Sequence, residues 1–398
     1  MKKWLAVIMM CMLVISSLTL VYATYRGNLN DGYAIEINGE STEYTSIVSD
    51  GTHYVPMRMI FEKMGAYVFY RGSDRQILAL SRDGDIIRHI VGDNVITVNG
   101  EQKVFENTSI SQDDGTYLPV EMITVSLCPD AISYDNRKLN IQKYMANTDY
   151  HLIIKDVLDV CRESDFYPER FQRYINYHIK TPDYNMQEVV CRVNIGLDFP
   201  FYENVSVIEH PYELLVLVNK YHQLPSGFNQ YNLVKMSREY TVNDGKQYFI
   251  SAVAYEKYVQ MADDAKKDGL TMKVVSAYRT EDYQKNLYNN KVRTTGKVNA
   301  DNYSARPGFS EHQTGLAVDI SSTKGVFEYT PEFKWLQKHA HEYGYILRYP
   351  KGKEWITGYS YEPWHYRYVG TDVATIIYEE GITYEEYCAK YVSLNEFR

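Results

Sequence analysis

Ser310-Glu311-His312-Gln313-Thr314-Gly315-Leu316-Ala317-Val318-Asp319-Ile320 (SEHQTGLAVDI) sets a histidine beside a glutamate and an aspartate inside the apolar run that follows. In a regular strand, residues an odd number apart point to opposite faces. For His312 and Asp319 to address one point, the backbone must change direction between them. Gln313-Thr314-Gly315 is the place for that turn, because glycine tolerates the dihedrals of a tight bend. Leu316 to Ile320 then reads as a short buried strand carrying one acid. A buried carboxylate is costly unless it is paired or bound to a cation, so the strand hints at a metal.

A hydrolytic zinc site offers three His/Asp/Glu ligands and leaves a fourth position open for water. His312 and Asp319 supply two. Tyr361-Glu362-Pro363-Trp364-His365-Tyr366 offers a third, His365, with Glu362 three residues before it as a carboxylate able to take a proton, and Trp364 to wall the site from solvent. His339 and His341 are rival ligands, but they fall in a predicted helix, where residues two apart do not face one point. Taken singly, Asp319 reads better as a turn cap and Glu362 as a solvated acid. The pairing of the two segments favours a site.

From about residue 165 to the C-terminus the chain resembles the VanY-type zinc D-Ala-D-Ala carboxypeptidases, relatives of the VanX dipeptidases. The matching blocks are Ser276-Ala277-Tyr278-Arg279, Ser310 to Asp319, and Glu362-Pro363-Trp364-His365. The resemblance implies zinc on His312, Asp319 and His365, Glu362 as catalytic base, and Arg279 facing the scissile carbonyl. Gln284 resembles a family substrate contact. Ser310, beside the first ligand, and Arg306, on the Ala305-Arg306-Pro307-Gly308 turn, are further candidates for holding the substrate and its terminal carboxylate. Zinc brings the pKa of a bound water toward ~7; a carboxylate beside it accepts the proton and passes it to the leaving amine. A guanidinium stabilises the developing oxyanion. The expected activity is removal of the terminal D-alanine from peptidoglycan stem peptides. An L,D-carboxypeptidase acting on tetrapeptide stems and a dipeptidase are the neighbouring alternatives. A non-catalytic wall-binding protein with a structural zinc is the alternative of another class; Glu362 and Arg279 count against it, since a structural site needs neither an open position nor a base.

The 398 residues suffice for two or three domains, and 45% hydrophobic content suffices for a core. A net charge of −9 argues against nucleic acid as a partner. The 39 tyrosines suit carbohydrate or peptide surfaces without proving one. Lys2 and Lys3 precede an uncharged apolar segment, Trp4 to Ala23, that reads as an export signal or a membrane anchor, residues 1–23. Either places the remainder outside the cytoplasm, in the cell wall or at the outer face of the membrane. Cys128, Cys161, Cys191 and Cys388 form no CxxC pair; exported disulfides and buried thiols both remain open.

Ile37-Asn38-Gly39-Glu40 recurs as Val98-Asn99-Gly100-Glu101, and the segment from Gly51 to Ile60 is echoed by Gly115 to Ile123. Each copy has an Asn-Gly hairpin, a tyrosine strand ended by proline, and a short helix. Residues 31–144 are therefore expected to be a small duplicated α+β module, which resembles the copper amine oxidase N-terminal-like domain. No His/Cys/Met cluster for copper is evident, and His53 and His89 read as isolated. A helical bridge is expected over 145–212, with helices at Leu152–Arg162 and Glu169–His178, before the peptidase domain at 213–398. There, Glu213–Tyr221 (ELLVLVNKY) reads as a buried strand and Met272–Tyr278 as another. Helices are expected around Ala254–Ala265, after Thr280, and after Thr330-Pro331. Without a βαβ rhythm, the expectation is an α+β fold on an antiparallel sheet flanked by helices.

Overall fold

The computed structural model describes residues 32–112, 115–143, 149–160, 166–321 and 325–392. The N-terminal apolar segment and Cys161 lie outside them. The chain is mixed α and β, and its described residues form two compact units that divide between 143 and 149, with 82–86 grouped with the second.

In the first unit the duplication is visible as paired devices. Asn38 and Asn99 adopt φ of 53° and 51°, and Gly39 and Gly100 follow at 82° and 88°. Two consecutive positive-φ residues make the turn whose twist matches flanking strands, and hairpins form at Ala34–Ile37/Glu40–Thr45 and Val95–Val98/Glu101–Val104. The strands Thr52–Pro56 and Gly115–Pro119 each end at a proline and run directly into the helices Met57–Lys63 and Val120–Leu127. Proline suits this junction because it cannot donate to a ladder but carries a helix-compatible φ. The two strands pair antiparallel with one another, Leu118 opposite Val55. Both are fully buried, in one core with Ile60, Phe61, Met122 and Ile123. The two copies thus complete a single core. His53 and His89 take protein partners: Ser46 Oγ at 3.0 Å for the first, Val95 O at 2.8 Å and Ser109 Oγ at 2.7 Å for the second.

The second unit is built on a four-stranded antiparallel sheet in the spatial order Val274–Ser276, Ala317–Ile320, His365–Tyr368, Tyr345–Leu347. Ala317–Ile320 is interior to the sheet and buried at every position, which accounts for its apolar character on both faces. Helix Ala252–Lys267 brings Ala254, Tyr258, Met261, Ala262 and Ala265 into the same core as Val274, Val318, Ile320 and Tyr345. Each fully buried large apolar side chain contributes about 1.5–3 kcal/mol before entropy is charged against it. Thr280 accepts from the Tyr283 amide and caps helix Glu281–Thr295; Thr330 accepts from Phe333 and caps Pro331–His339.

Several expectations change in detail. Glu213–Tyr221 forms no regular strand, although Val216 and Val218 are buried. The carbonyls of Leu214 and Val216 accept instead from the Arg367 guanidinium, at 3.0 and 2.9 Å. A side-chain fork takes acceptors that a neighbouring strand would have used. The strand expected over Met272–Tyr278 shortens to Val274–Ser276. The bridge helices run Asp149–Val160 and Phe171–Lys180, the second after a single 3₁₀ turn begun by Pro168. They belong to the second unit, as does Met186–Ile195, which opens on an Asn185/Glu188 capping box and packs through Ile195 against Ile356 and Ala389.

Candidate active site

The turn anticipated between His312 and Asp319 is a short 3₁₀ segment, Glu311–Thr314, closed by Gly315 at φ +69°. Thr314 ties it: its hydroxyl donates to Glu311 O at 2.6 Å and accepts from Leu316 N at 3.2 Å. Glycine is needed twice over at 315. The left-handed φ disfavours a side chain, and a Cβ there would lie 2.7 Å from Leu233 Cδ2. The reversal swings His312 onto the face that Asp319 occupies.

Sheet register does the rest. Ser276 lies opposite Asp319, and Asp319 lies opposite His365, so the three form a row across adjacent antiparallel strands. Directly opposed residues share a face with neighbouring Cβ atoms. His312, Asp319 and His365 are all buried, and one ligand atom from each lies within 4.8 Å of the others. Among the described residues this is the one His/Cys/Asp/Glu group able to hold a metal ion. Asp319 Oδ1 is 3.4 Å from His312 Nε2 and 3.1 Å from His365 Nδ1, and the two imidazoles stand perpendicular, 4.9 Å apart. His312 Nδ1 lies 2.7 Å from Ala277 O, so that nitrogen carries the proton and Nε2 is left as a donor atom toward the cluster. Two buried imidazoles and a buried carboxylate converging on one point fit a zinc ion.

The charged groups around the cluster perturb one another strongly. Burial alone would raise the Asp319 carboxyl, but His312, His365 and Arg279 hold it well below the usual carboxylate range. Burial pushes His312 down to about 4, aided by Arg279 and opposed by Asp319. Burial also opposes charge on His365, yet Asp319 and Glu311 outweigh it and raise this ring to about 9 from the protein groups alone. Glu362, its carboxylate 3.8 Å from His365 Nδ1 and 14% exposed, is pushed up to about 7. Its burial is the main cause; His365 opposes the shift and Asp319 adds to it.

Arg279 is expected to pair on the surface with Glu281 or Asp282 if it has no part in the site. Its NH2 instead donates to Asp319 Oδ2 at 2.8 Å and to Ser276 Oγ at 2.8 Å, with Nε on the same hydroxyl at 3.0 Å. The other three candidates are placed differently from a bare substrate contact. Gln284 is buried behind Arg279, its Oε1 3.4 Å from Arg279 NH1 and its amide donating to Ala305 O at 2.8 Å. The Arg306 guanidinium is bidentate on Asp301, at 3.0 and 2.8 Å, and lies over the Tyr202 ring at 3.7 Å; the carboxylate it clamps is the protein's own. Ser310 is buried at the start of the 3₁₀ turn, where its carbonyl accepts from Gln313 N at 3.1 Å. His339 faces Glu342 and His341 stacks on Tyr378, so neither rival joins the cluster.

Sequence reasoning missed the layer beneath the site. Glu311, Arg348, Arg367 and Glu385 are buried together, Arg348 donating to Glu311 Oε1 at 2.8 Å and to both Glu385 oxygens at 2.8 and 2.6 Å. Tyr349 lies against His365 with ring centroids 4.9 Å apart. The available signal was weak: Arg348 and Arg367 stand among tyrosines and aliphatics (YILRY, HYRYV), a setting that surface arginines seldom have.

A mononuclear metallohydrolase is the class of protein that this donor set and sheet define. The family of D-alanyl-D-alanine carboxypeptidases known as VanY matches residues 247–371, and the copper amine oxidase N-terminal domain matches residues 36–142. YodJ of Bacillus subtilis (strain 168) is 42% identical over 195 residues, 47% of this chain and 71% of YodJ. Among solved structures, the LdcB LD-carboxypeptidase is 41% identical, covering 47% of this chain and 91% of that one with a TM-score of 0.45. A VanY D,D-pentapeptidase mutant in complex with Zn(II), from a VanB-type resistance cassette, is 36% identical and covers 44% of this chain and 99% of that one, TM-score 0.38. The chain belongs to the VanY family of D-alanyl-D-alanine carboxypeptidases.

Proposed function

We propose that this chain is an exported, zinc-dependent D-alanyl-D-alanine carboxypeptidase that removes the terminal D-alanine from peptidoglycan stem peptides. The observation that carries the reading is the convergence of His312, Asp319 and His365 within 4.8 Å, with the Glu362 carboxylate beside them. His312, Asp319 and His365 would hold the ion. Zinc at such a site supplies Lewis acidity and makes hydroxide available near neutral pH.

The chain's own groups supply the remainder. Glu362 is placed to accept a proton from the attacking water and to return it to the leaving D-alanine amine, the two proton transfers that peptide hydrolysis requires. Its raised affinity for a proton suits that exchange. Arg279 keeps one edge on Asp319 and Ser276 and presents the rest of its fork to the substrate carbonyl, where charge develops. Gln284 holds NH1 of that fork from behind, so its part is to orient Arg279. The N-terminal apolar segment, as a cleaved signal or an anchor, would deliver the enzyme to the wall, and the duplicated module would position it there.

Mass spectrometry of defined muropeptides tests the reading. Loss of one D-alanine from a pentapeptide stem is the expected result. Trimming of tetrapeptide stems alone would make the enzyme an L,D-carboxypeptidase, and cleavage of neither would contradict the hydrolase reading.

A further inference from the structure

Glu311 is enclosed, with no exposed side-chain surface, and its two oxygens are used unequally. Oε1 accepts from Arg348 Nε at 2.8 Å and Arg367 NH1 at 3.0 Å. Oε2 is buried and has no hydrogen-bond partner among the described residues. His365 Nε2 lies 3.5 Å from it and is likewise buried and without a hydrogen-bond partner among the described residues. On its far side the same ring directs Nδ1 at Asp319 Oδ1, 3.1 Å away, inside the metal cluster. The imidazole of His365 therefore spans from the cluster to Glu311.

We propose that Glu311 is a positioning residue of the metal centre: Oε2 accepts the Nε2–H of His365 and so commits Nδ1 to the metal. This rests on the metal reading above. A neutral imidazole carries one proton, and the nitrogen without it is the one that can ligate. A proton on Nε2 is buried and must have an acceptor, and Glu311 stands where that acceptor is needed. His312 is held in the opposite sense, its Nδ1–H on Ala277 O and its Nε2 toward Asp319. The two histidines would thus contribute different nitrogens, each fixed from behind by an acceptor on another part of the chain. A carboxylate behind a ligating histidine orients the ring and raises its basicity.

The surroundings keep this carboxylate charged and still. Arg348 bridges Glu311 to Glu385, and Arg367 bridges Glu311 to the carbonyls of Leu214 and Val216. Two guanidinium groups balance two carboxylates in a buried network, so neither glutamate can move without stranding an arginine. Tyr349 lies against the His365 ring, centroids 4.9 Å apart.

The test uses the full chain and zinc alone. In nitrogen-15 histidine spectra of the zinc-loaded wild type, His365 should be protonated at Nε2 and bound through Nδ1, with a slowly exchanging Nε2–H. Competition against a chromophoric chelator should show zinc held about 10–100-fold more weakly by Glu311→Gln. Glu385→Gln breaks the same arginine network one step further out, without touching His365. It should lower thermal stability while leaving zinc affinity close to wild type. Equal loss of affinity in both variants would reduce Glu311 to a packing role, and unchanged affinity in Glu311→Gln would overturn the proposal outright. Should Glu311→Gln fail to fold, the wild-type spectrum decides: zinc on Nε2 of His365 excludes the arrangement. A wild type that binds no zinc overturns the metal reading itself and this proposal with it, whereas zinc bound with Glu311 irrelevant overturns this proposal alone.

Discussion

Glu362 and Arg279 illustrate two kinds of dependence on a single side chain. Replacing Glu362 by Gln keeps the shape of the side chain and removes its basicity. The expected outcome is a zinc content equal to wild type with turnover reduced by about 10²–10⁴, the usual contribution of a positioned acid–base group. Elemental analysis alongside D-alanine release would check it, and loss of the metal would instead make Glu362 a ligand. Arg279→Lys keeps the charge but cannot reproduce a fork that reaches both Asp319 and Ser276. A fall of about 10²–10³ in kcat is expected, as for loss of an oxyanion donor; kcat within a fewfold of wild type would remove Arg279 from the reaction. At this scale the sequence was informative about the cluster, because the His312–Asp319 segment and the Glu362–His365 segment together supply three ligands and a base, which neither does alone. It was uninformative about Gln284 and Arg306, whose partners, Ala305 O and Asp301, are set by how the chain runs on from helix Lys297–Tyr303. Nothing in their local spacing announces that.

At the scale of elements, the row Ser276–Asp319–His365 depends on register, and register depends on where the chain leaves the Gly315 turn. A slip of one residue would send every side chain to the other face. Gly315→Ala is expected to cost about 1–3 kcal/mol, from a positive φ and a Cβ meeting Leu233. A shift in the urea midpoint at unchanged slope would register this, and a shift below about 0.5 kcal/mol would contradict it. Strand pairing of this kind is hard to read in advance. Ala317–Ile320 was legible from its apolar run, whereas Glu213–Tyr221 looked equally strand-like and is not one, since its carbonyls answer to Arg367. Lys220 offers a separate check on loop packing. Its ammonium donates to the carbonyls of Asp301 and Gly358, and burial pulls its pKa from 10.5 to about 8, with Asp301 opposing and Arg306 assisting. A depressed base releases its proton earlier in the folded state, so between pH 8 and 10.5 the unfolded chain binds more protons and this residue's share of stability rises with pH. Denaturation curves at both ends of that window should show the stability of wild type relative to Lys220→Met increasing with pH; a constant difference would refute the shift.

For the whole molecule, two compact units with separate cores imply separable tasks. The duplication in the first was legible because an Asn-Gly pair and a Tyr–Pro strand recur. That the copies pair Leu118 against Val55 was not, since no local signal encodes which strand meets which. A chain beginning at residue 149 should hydrolyse small muropeptides as the full chain does. One beginning at Thr181 should be markedly less stable, having lost buried Phe171, Tyr174 and Ile175 and the Arg173–Asp198 pair at 2.6 Å. Thermal melts and muropeptide assays on both would show whether the helices at 149–180 belong to the catalytic unit.

The most direct measurement is metal stoichiometry followed through chelation, on the wild type and on a variant with His312, Asp319 and His365 all replaced by alanine. One zinc per wild-type chain is expected, lost together with D-alanine release on chelation and regained together on adding zinc back. The triple variant should hold none. Full turnover by metal-free protein, or zinc retained by the triple variant, would contradict the account.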